Sequence, residues 1–477
     1  VIILRIGVAR LTKGGDGALA VAELIADRTE RKPGGGEARR NLDGLRQNIG
    51  GARKVALGDM IERPFVAPVG DQVAGGDEER AGVGHLSFRG GRKAEPGIHN
   101  HRPGKHCKDC GYGIRTAAGA ASGMTFRVYL NPMRPEDILL PTPAGVCCKI
   151  GGFHIDPTRP VERALITHAH SDHARAGHGA VLATAETLDL MRLRYGENFA
   201  GTTQAAAYGE RIDLGGVTVT FHPAGHVLGS AQIAVEADGL RIVASGDYKN
   251  VADPTCAPFE LVPCDVFITE ATFALPVFRH GDPDGEIGKL VRSVALFPER
   301  AHLVGAYSLG KAQRVIALLR RAGYDAPIYL HGAMEKITRY YESRGIALGE
   351  LRLVSGATKQ NLAGTITICP PSALNDLWTR RFPEPLAAFA SGWMRVRARA
   401  RQQGVALPLV ISDHADWDGL TATIAATGAG EIWVTHGQED ALVHWCVTRG
   451  LKARPLDIVG YGDEDEASAE DAGEAEV

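Results

Sequence analysis

His168-Ala169-His170-Ser171-Asp172-His173 constrains this chain more than any other stretch, because it brings four metal-binding side chains within six residues. The apolar Ala164-Leu165-Ile166 precedes it and the helix-compatible Ala174-Arg175-Ala176 follows. A strand that ends in a tight turn would aim alternate side chains into one pocket. Imidazole and carboxylate are donors that suit Zn²⁺ or Mn²⁺. Two such ions about 3.5–4 Å apart can share a water, activate it and clamp the oxygens of a displacement. The expectation is a hydrolase with two divalent ions, zinc before manganese.

At 477 residues the chain has room for two or three domains and a large core. A formal charge of −3 excludes a protein that is basic overall, so a polyanion must meet a local patch. No apolar run approaches the roughly 18–20 residues that span a membrane, and Val1-Ile2-Ile3-Leu4 is too short for a signal-peptide core. Cys147-Cys148, Cys256, Cys264, Cys369 and Cys446 are scattered, which fits reduced thiols better than a disulfide framework. A cytoplasmic protein with no membrane partner is expected.

Residues 1–123 differ in kind from the rest. They are rich in Gly and Arg (Pro33-Gly34-Gly35-Gly36, Arg89-Gly90-Gly91-Arg92-Lys93) and lack long periodic apolar segments. The chain starts with Val, while Met124 and Met133 stand just before the pattern becomes regular. A disordered extension or an over-extended start is expected, the opposing reading being a basic arm on nucleic acid. His99, His101, His106, Cys107 and Cys110 offer no second ligand pair at zinc spacing and read as chance. The acidic residues 463–477 read as a disordered tail.

Between these ends, hairpins come early and βα units late. Val217, Val219 and Phe221 alternate as in a half-buried strand, and Asp238-Gly239 joins two apolar runs as a hairpin turn. Strand–helix units follow from His302, Pro327, Leu409 and Glu431. The pattern predicts an α/β/α sandwich with an inserted α/β domain. Further candidate ligands recur at strand ends: His226, Asp247 and His436. Successive strand ends along one sheet edge collect ligands into one site.

Taken together, these residues resemble the metallo-β-lactamase superfamily. His226-Val227-Leu228-Gly229-Ser230 is similar to its β-CASP nucleic-acid-processing branch. Gly152-Phe153-His154-Ile155-Asp156-Pro157 and Gly392-Trp393-Met394-Arg395-Val396-Arg397 resemble the bacterial ligase-associated DNA exonucleases, a likeness running from about Pro135 to Asp463. The resemblance implies an α/β fold, a metallo-β-lactamase αββα sandwich built from residues 134–300 and 405–462. Residues 301–404 would form the β-CASP α/β insert.

The resemblance also implies one ion on His168, His170 and His226. The second would sit on Asp172, His173 and His436, with Asp247 bridging both. Asp156 would orient the ligand loop without binding metal. Glu270 resembles the acidic residue of motif A and would orient His414 of motif B, the acid for the leaving oxygen. Asp172, His414, Glu270 and Asp156 are therefore the expected catalytic group. DNA, or alternatively RNA, would be the substrate, with association to an ATP-dependent DNA ligase and a helicase.

Two features bear on that substrate. Ser308-Leu309-Gly310-Lys311 opens a helix, where free N–H groups and Lys311 would favour a phosphate. Arg395, Arg397, Arg399 and Arg401 alternate; on a strand they would form a positive stripe, on a helix they would spread around the surface. The strand reading is preferred, with Arg380-Arg381 as an extension. His178, His222, His280, His331 and His444 have no motif reason to bind metal, and His154 is intermediate. A 3′-end-processing ribonuclease is the nearest alternative. A lactonase or thioesterase would not need the insert.

Overall fold

The computed structural model describes residues 133–456 and, before them, the backbone of five strands. The chain divides into two compact units at Pro132/Met133. In the first, Ile2–Val8 pairs antiparallel with Ala22–Asp27 and with Ile61–Ala67. Val83–Ser87 pairs antiparallel with Thr125–Tyr129. The His99–Cys110 group, the linking segments around it and the acidic tail lie outside the described residues, as do the expectations placed on them.

The second unit is built on period-two alternation. One sheet runs Ala200–Ala205, His178–Ala183, Arg163–Leu165, Phe153–Ile155, Gly145–Cys148 and Leu140–Thr142. The other runs Arg211–Leu214, Val217–Pro223, Ala231–Ala237, Leu240–Ala244, Val266–Ala271, Glu431–Gly437 and Lys452–Pro455. Alternate side chains of each strand enter different cores. Leu165 and Leu182 meet Ile233, Val235, Ile242, Ile268 and Trp433 between the sheets. Ala164, Val181 and Ala183 face outward onto Leu188 and Met191 of the helix Ala185–Tyr195. Ala234, Val243, Phe267, Ile432 and Val434 face the helices Trp417–Thr427 and Glu439–Val447. The result is four layers, helix–sheet–sheet–helix.

The Asp238-Gly239 turn forms as read, joining Ala231–Ala237 to Leu240–Ala244. Val266–Ala271 and Glu431–Gly437 are parallel neighbours, so the intervening chain leaves the sandwich and returns to the adjacent position. That chain makes a second, six-stranded parallel sheet, ordered Leu351–Leu353, Ile328–Leu330, Ile366–Cys369, His302–Gly305, Leu386–Ala390 and Leu407–Leu409. Helices Pro283–Leu296, Lys311–Arg321 and Glu335–Ser343 pack on it through Ile287, Leu290, Ile316, Leu319 and Tyr341. An αββα sandwich with an inserted α/β domain is thus the observed architecture.

Among the described residues, no helix is long and apolar enough to cross a membrane, and the six cysteines are free thiols. The unit beginning at Met133 closes its own cores. A chain starting at Met133 is therefore expected to melt at the temperature of the whole protein in calorimetry; a marked drop would show that residues 1–132 help to hold that unit together.

Candidate metal centre

Every candidate ligand follows the carboxyl end of a strand on one edge of the sandwich, where α/β sheets collect ligands. His168–His173 follows Arg163–Leu165, His226 follows Val217–Pro223, Asp247 follows Leu240–Ala244, and His436 closes Glu431–Gly437. His436 gets there by a bulge. Thr435 pairs with Glu270 and Gly437 with Ala271, so His436 is the extra residue, held at φ 58°. The bulge turns a side chain that would lie on a sheet face toward the edge. Gly437 accommodates it, because a Cβ there would stand 2.5 Å from the Ala271 carbonyl.

Outer partners fix which nitrogen of each ring bears a proton. His226 Nδ1 lies 2.9 Å from the Asp413 carbonyl and His170 Nε2 lies 3.2 Å from the Leu309 carbonyl. A carbonyl only accepts, so both nitrogens donate. Thr167 Oγ1 donates to Asp156 Oδ2 at 2.5 Å and so accepts from His168 Nδ1 at 3.0 Å. Asp156 Oδ2 also takes His173 Nδ1 at 2.8 Å, and Oδ1 takes the Thr167 N–H at 2.8 Å. These bonds hold Asp156 at φ 43°, a conformation uncommon for a residue with a side chain.

The lone pairs of His168 Nε2, His170 Nδ1 and His226 Nε2 are therefore turned inward. His170 Nδ1 lies 3.1 Å from His168 Nε2 and 3.0 Å from His226 Nε2. Asp247 Oδ2 lies 3.4 Å from His168 Nε2 and 3.9 Å from His226 Nε2. Four tetrahedral ligands at zinc bond lengths stand roughly 3.3 Å apart along each edge. Four buried donors at that spacing fit one divalent ion. A second set adjoins it: His173 Nε2 is 3.3 Å from Asp247 Oδ2 and 3.6 Å from Asp172 Oδ2, and His436 stacks on His173 with ring centroids 4.6 Å apart. Buried Asp247 Oδ1 has no hydrogen-bond partner, as an oxygen reserved for an ion would not.

The electrostatics suit the same assignment. Burial, helped by neighbouring imidazoles, pushes His226 and His436 down to about 3 and His168 well below its usual value. Neutral rings are what an ion requires. Burial also works against the Asp247 anion, but His173 and His168 hold its carboxyl well below the usual range. His173 is raised instead, because Asp247, Asp172 and Asp156 outweigh its burial. An ion would take the place of that proton.

Beside the donors stands an acid–base pair. Glu270 Oε2 meets His414 Nδ1 at 2.9 Å, and Glu270 Oε1 accepts the Tyr248 N–H at 2.8 Å. Burial alone would lower His414, yet Glu270, Asp247 and Asp413 raise it to about 10. The His414 ring lies 4.6 Å from that of His226.

Two expectations about phosphate contacts need correction. Arg397–Gln402 is a helix, preceded by a turn over Gly392–Arg395, so Arg395, Arg397, Arg399 and Arg401 do not form a strand stripe. Arg and Ala are among the strongest helix formers, and their alternation lacks the β-branched residues that favour a strand. All four arginines are exposed, as are Arg380 and Arg381. Trp393 supports Arg399, whose guanidinium lies 4.0 Å above the indole, and packs 4.9 Å from Phe273, which lies 6.0 Å from His414.

Lys311 is not an exposed phosphate ligand either. It is buried, with Nζ 3.0 Å from Asp413 Oδ1. The N–H groups of its helix start are also engaged: Gly310 donates to Gln313 Oε1, Lys311 to the Leu309 carbonyl and Ala312 to that of Tyr307. Sequence reasoning also missed Asp413, Thr167 and Lys249, whose Nζ donates to the His414 carbonyl at 3.1 Å. Asp413 lies within Ser412-Asp413-His414, directly before the histidine of motif B. Of the histidines read as structural, His178, His222 and His331 each have a local polar partner, and His280 packs on Phe273.

No family model matches the chain. Among curated proteins it is similar to a probable DNA ligase of Opitutus terrae, 32% identical over 318 residues that make up 63% of this chain and 29% of the relative. A ribonuclease of Thermus thermophilus is 25% identical over 66% of this chain and 84% of the relative. An RNase J-like protein of Methanocaldococcus jannaschii is 26% identical over 39% of this chain and 51% of the relative. The chain thus spans under a third of the first relative and about half of the third.

If the donors hold two ions, metal analysis after dialysis against zinc is expected to give two equivalents for the wild-type protein. One should remain in His226→Ala and fewer than two in Asp247→Ala. Two equivalents in every variant would show that the ions bind elsewhere.

Proposed function

We propose that this chain, whose fold is the metallo-β-lactamase αββα sandwich with a β-CASP-type insert, is a metal-dependent phosphodiesterase: a DNA exonuclease that works with ligation and repair enzymes. One observation carries the reaction type, the convergence of buried His and Asp donors beside the Glu270–His414 pair. His168, His170 and His226 would hold one ion and Asp172, His173 and His436 the other, with Asp247 shared; zinc or manganese suits these donors. Bound there, the ions supply Lewis acidity at the phosphate and a water of lowered pKa.

The chain's own residues supply position and a proton. Glu270 holds His414 through Nδ1, so Nε2 is the nitrogen that meets substrate. Glu270 and Asp413 favour the protonated ring, whose proton would go to the departing sugar oxygen. Asp156 holds one histidine from each donor set, His168 through Thr167 and His173 directly, and so keeps the two sets in register. Of the exposed arginines, Arg397 and Arg401 stand four residues apart on the helix Arg397–Gln402 and share a face, so these two would meet backbone phosphates together.

DNA as substrate is supported by the relative named a probable DNA ligase, and by the resemblance carried by the Gly152–Pro157 and Gly392–Arg397 phrases. The same likeness supports a DNA ligase as partner; its ATP dependence and a helicase rest on the sequence resemblance alone. RNA is the second reading, favoured by relatives with ribonuclease names, among them the Thermus and Methanocaldococcus proteins and fungal endoribonucleases.

Matched DNA and RNA strands, labelled at either end and incubated with Mn²⁺ or Zn²⁺, test both readings. DNA is expected to shorten from an end. His414→Ala should lower kcat by about 10²–10⁴-fold while both ions remain bound. Faster loss of RNA would move the assignment to a ribonuclease. Metal-loaded protein inert on every strand yet active on a thioester or lactone would overturn it.

A further inference from the structure

The loop that opens the Lys311–Arg321 helix belongs to the inserted domain, yet its polar contacts run to the metal ligands of the sandwich. The Leu309 carbonyl takes the Nε2–H of His170 at 3.2 Å. The Asp413 carbonyl takes the Nδ1–H of His226 at 2.9 Å, and Lys311 Nζ holds the Asp413 carboxylate at 3.0 Å. Two of the three histidines of the first donor set thus owe their tautomer to this loop or to a residue paired with it. The third, His168, is held from within the sandwich through Thr167 and Asp156.

The loop itself is rigidly placed. Gln313 bonds the Gly310 N–H, the Ser308 carbonyl and the Thr338 hydroxyl. Gly310 has φ 86°, and a Cβ there would lie 2.3 Å from Val227 Cγ1, so the loop is pressed against the neighbour of His226. One helical turn on, buried Arg314 pairs with buried Asp253 of the sandwich. The Tyr341 hydroxyl, on the helix Glu335–Ser343, accepts the Leu228 N–H at 3.2 Å.

We propose that the Leu309–Lys311 segment is the outer support of the first metal site, so that seating of the insert on the sandwich and retention of that ion form one linked equilibrium. The inference rests on the metal-centre reading and assigns Leu309 and Lys311 as positioning residues. If the insert lifts, the carbonyl that receives the His170 proton leaves, and Asp413 loses its counter-charge. His170 Nδ1 and His226 Nε2 are then no longer held as lone-pair donors. Outer partners of metal-bound histidines commonly change affinity 10–100-fold. Linkage runs both ways, so an ion on His168, His170 and His226 holds the insert down by the same free energy.

The test uses the full chain in a His436→Ala background, which leaves the first site as the complete one. Zinc titration of the metal-free protein is expected to give one ion. The double substitution Lys311→Met/Asp413→Asn removes the ion pair without stranding a buried charge, and should weaken that ion 10–100-fold. Lys311→Arg, which keeps the pair, should restore tight binding. Unchanged affinity in the double variant, or equal loss in Lys311→Arg, would overturn the proposal. Hydrogen exchange of wild-type protein is the second readout and does not depend on any variant folding. Removing zinc should speed exchange in Lys311–Arg321, and equal exchange with and without zinc would also overturn the proposal. A wild-type protein that takes up no zinc at all is a different result, which would remove the metal centre itself.

Discussion

Three imidazole lone pairs directed at one point dominate this molecule. His170 Nδ1 lies 3.1 Å from His168 Nε2 and 3.0 Å from His226 Nε2, and each ring has its proton committed on the opposite side. Buried lone pairs at that distance repel unless a cation lies among them. The fold therefore contains, in its own hydrogen bonds, a demand for positive charge. The Asp247 carboxylate is the nearest anion and lies toward the second donor set, so the demand is shared along one line. Divalent ions held there would polarise phosphate esters and activate water.

The sandwich meets this demand by collecting strand ends. Alternate side chains fill the core between the sheets and the two outer cores, which leaves the loops at one edge free to carry polar groups. Local exceptions then aim the ligands. Asp156 takes a positive φ so that one carboxylate serves both Thr167 and His173. His436 sits on a bulge that turns it off the sheet face. The insert closes over the same edge, and its contribution is carried by a backbone carbonyl and a buried ion pair. The bonds that hold the rings also choose which nitrogen each presents, so the same contacts would support any ion held there.

Much of this was legible in the sequence. The hairpin at Asp238-Gly239, the βα units of the insert and the strand-end histidines could be read because period, turn chemistry and ligand type are local signals. Asp156 could be placed beside the ligands only through resemblance; its bonds to Thr167 and His173 are tertiary. The readings that failed depended on an environment that sequence does not carry. Lys311 looks like a phosphate ligand at a helix start, but a carboxylate 102 residues later in the chain, Asp413, captures it. The alternation of Arg395 to Arg401 imitates a strand stripe, yet helix propensity decides its conformation. Leu309 offers no signal at all, because its role belongs to its carbonyl.

Anomalous X-ray scattering at the zinc edge, on crystals of the zinc-loaded protein, tests the central claim most directly. The account predicts two peaks about 3.5–4 Å apart, one ringed by His168, His170 and His226, the other by Asp172, His173 and His436, with Asp247 between them. A single peak, or peaks away from these residues, would contradict it.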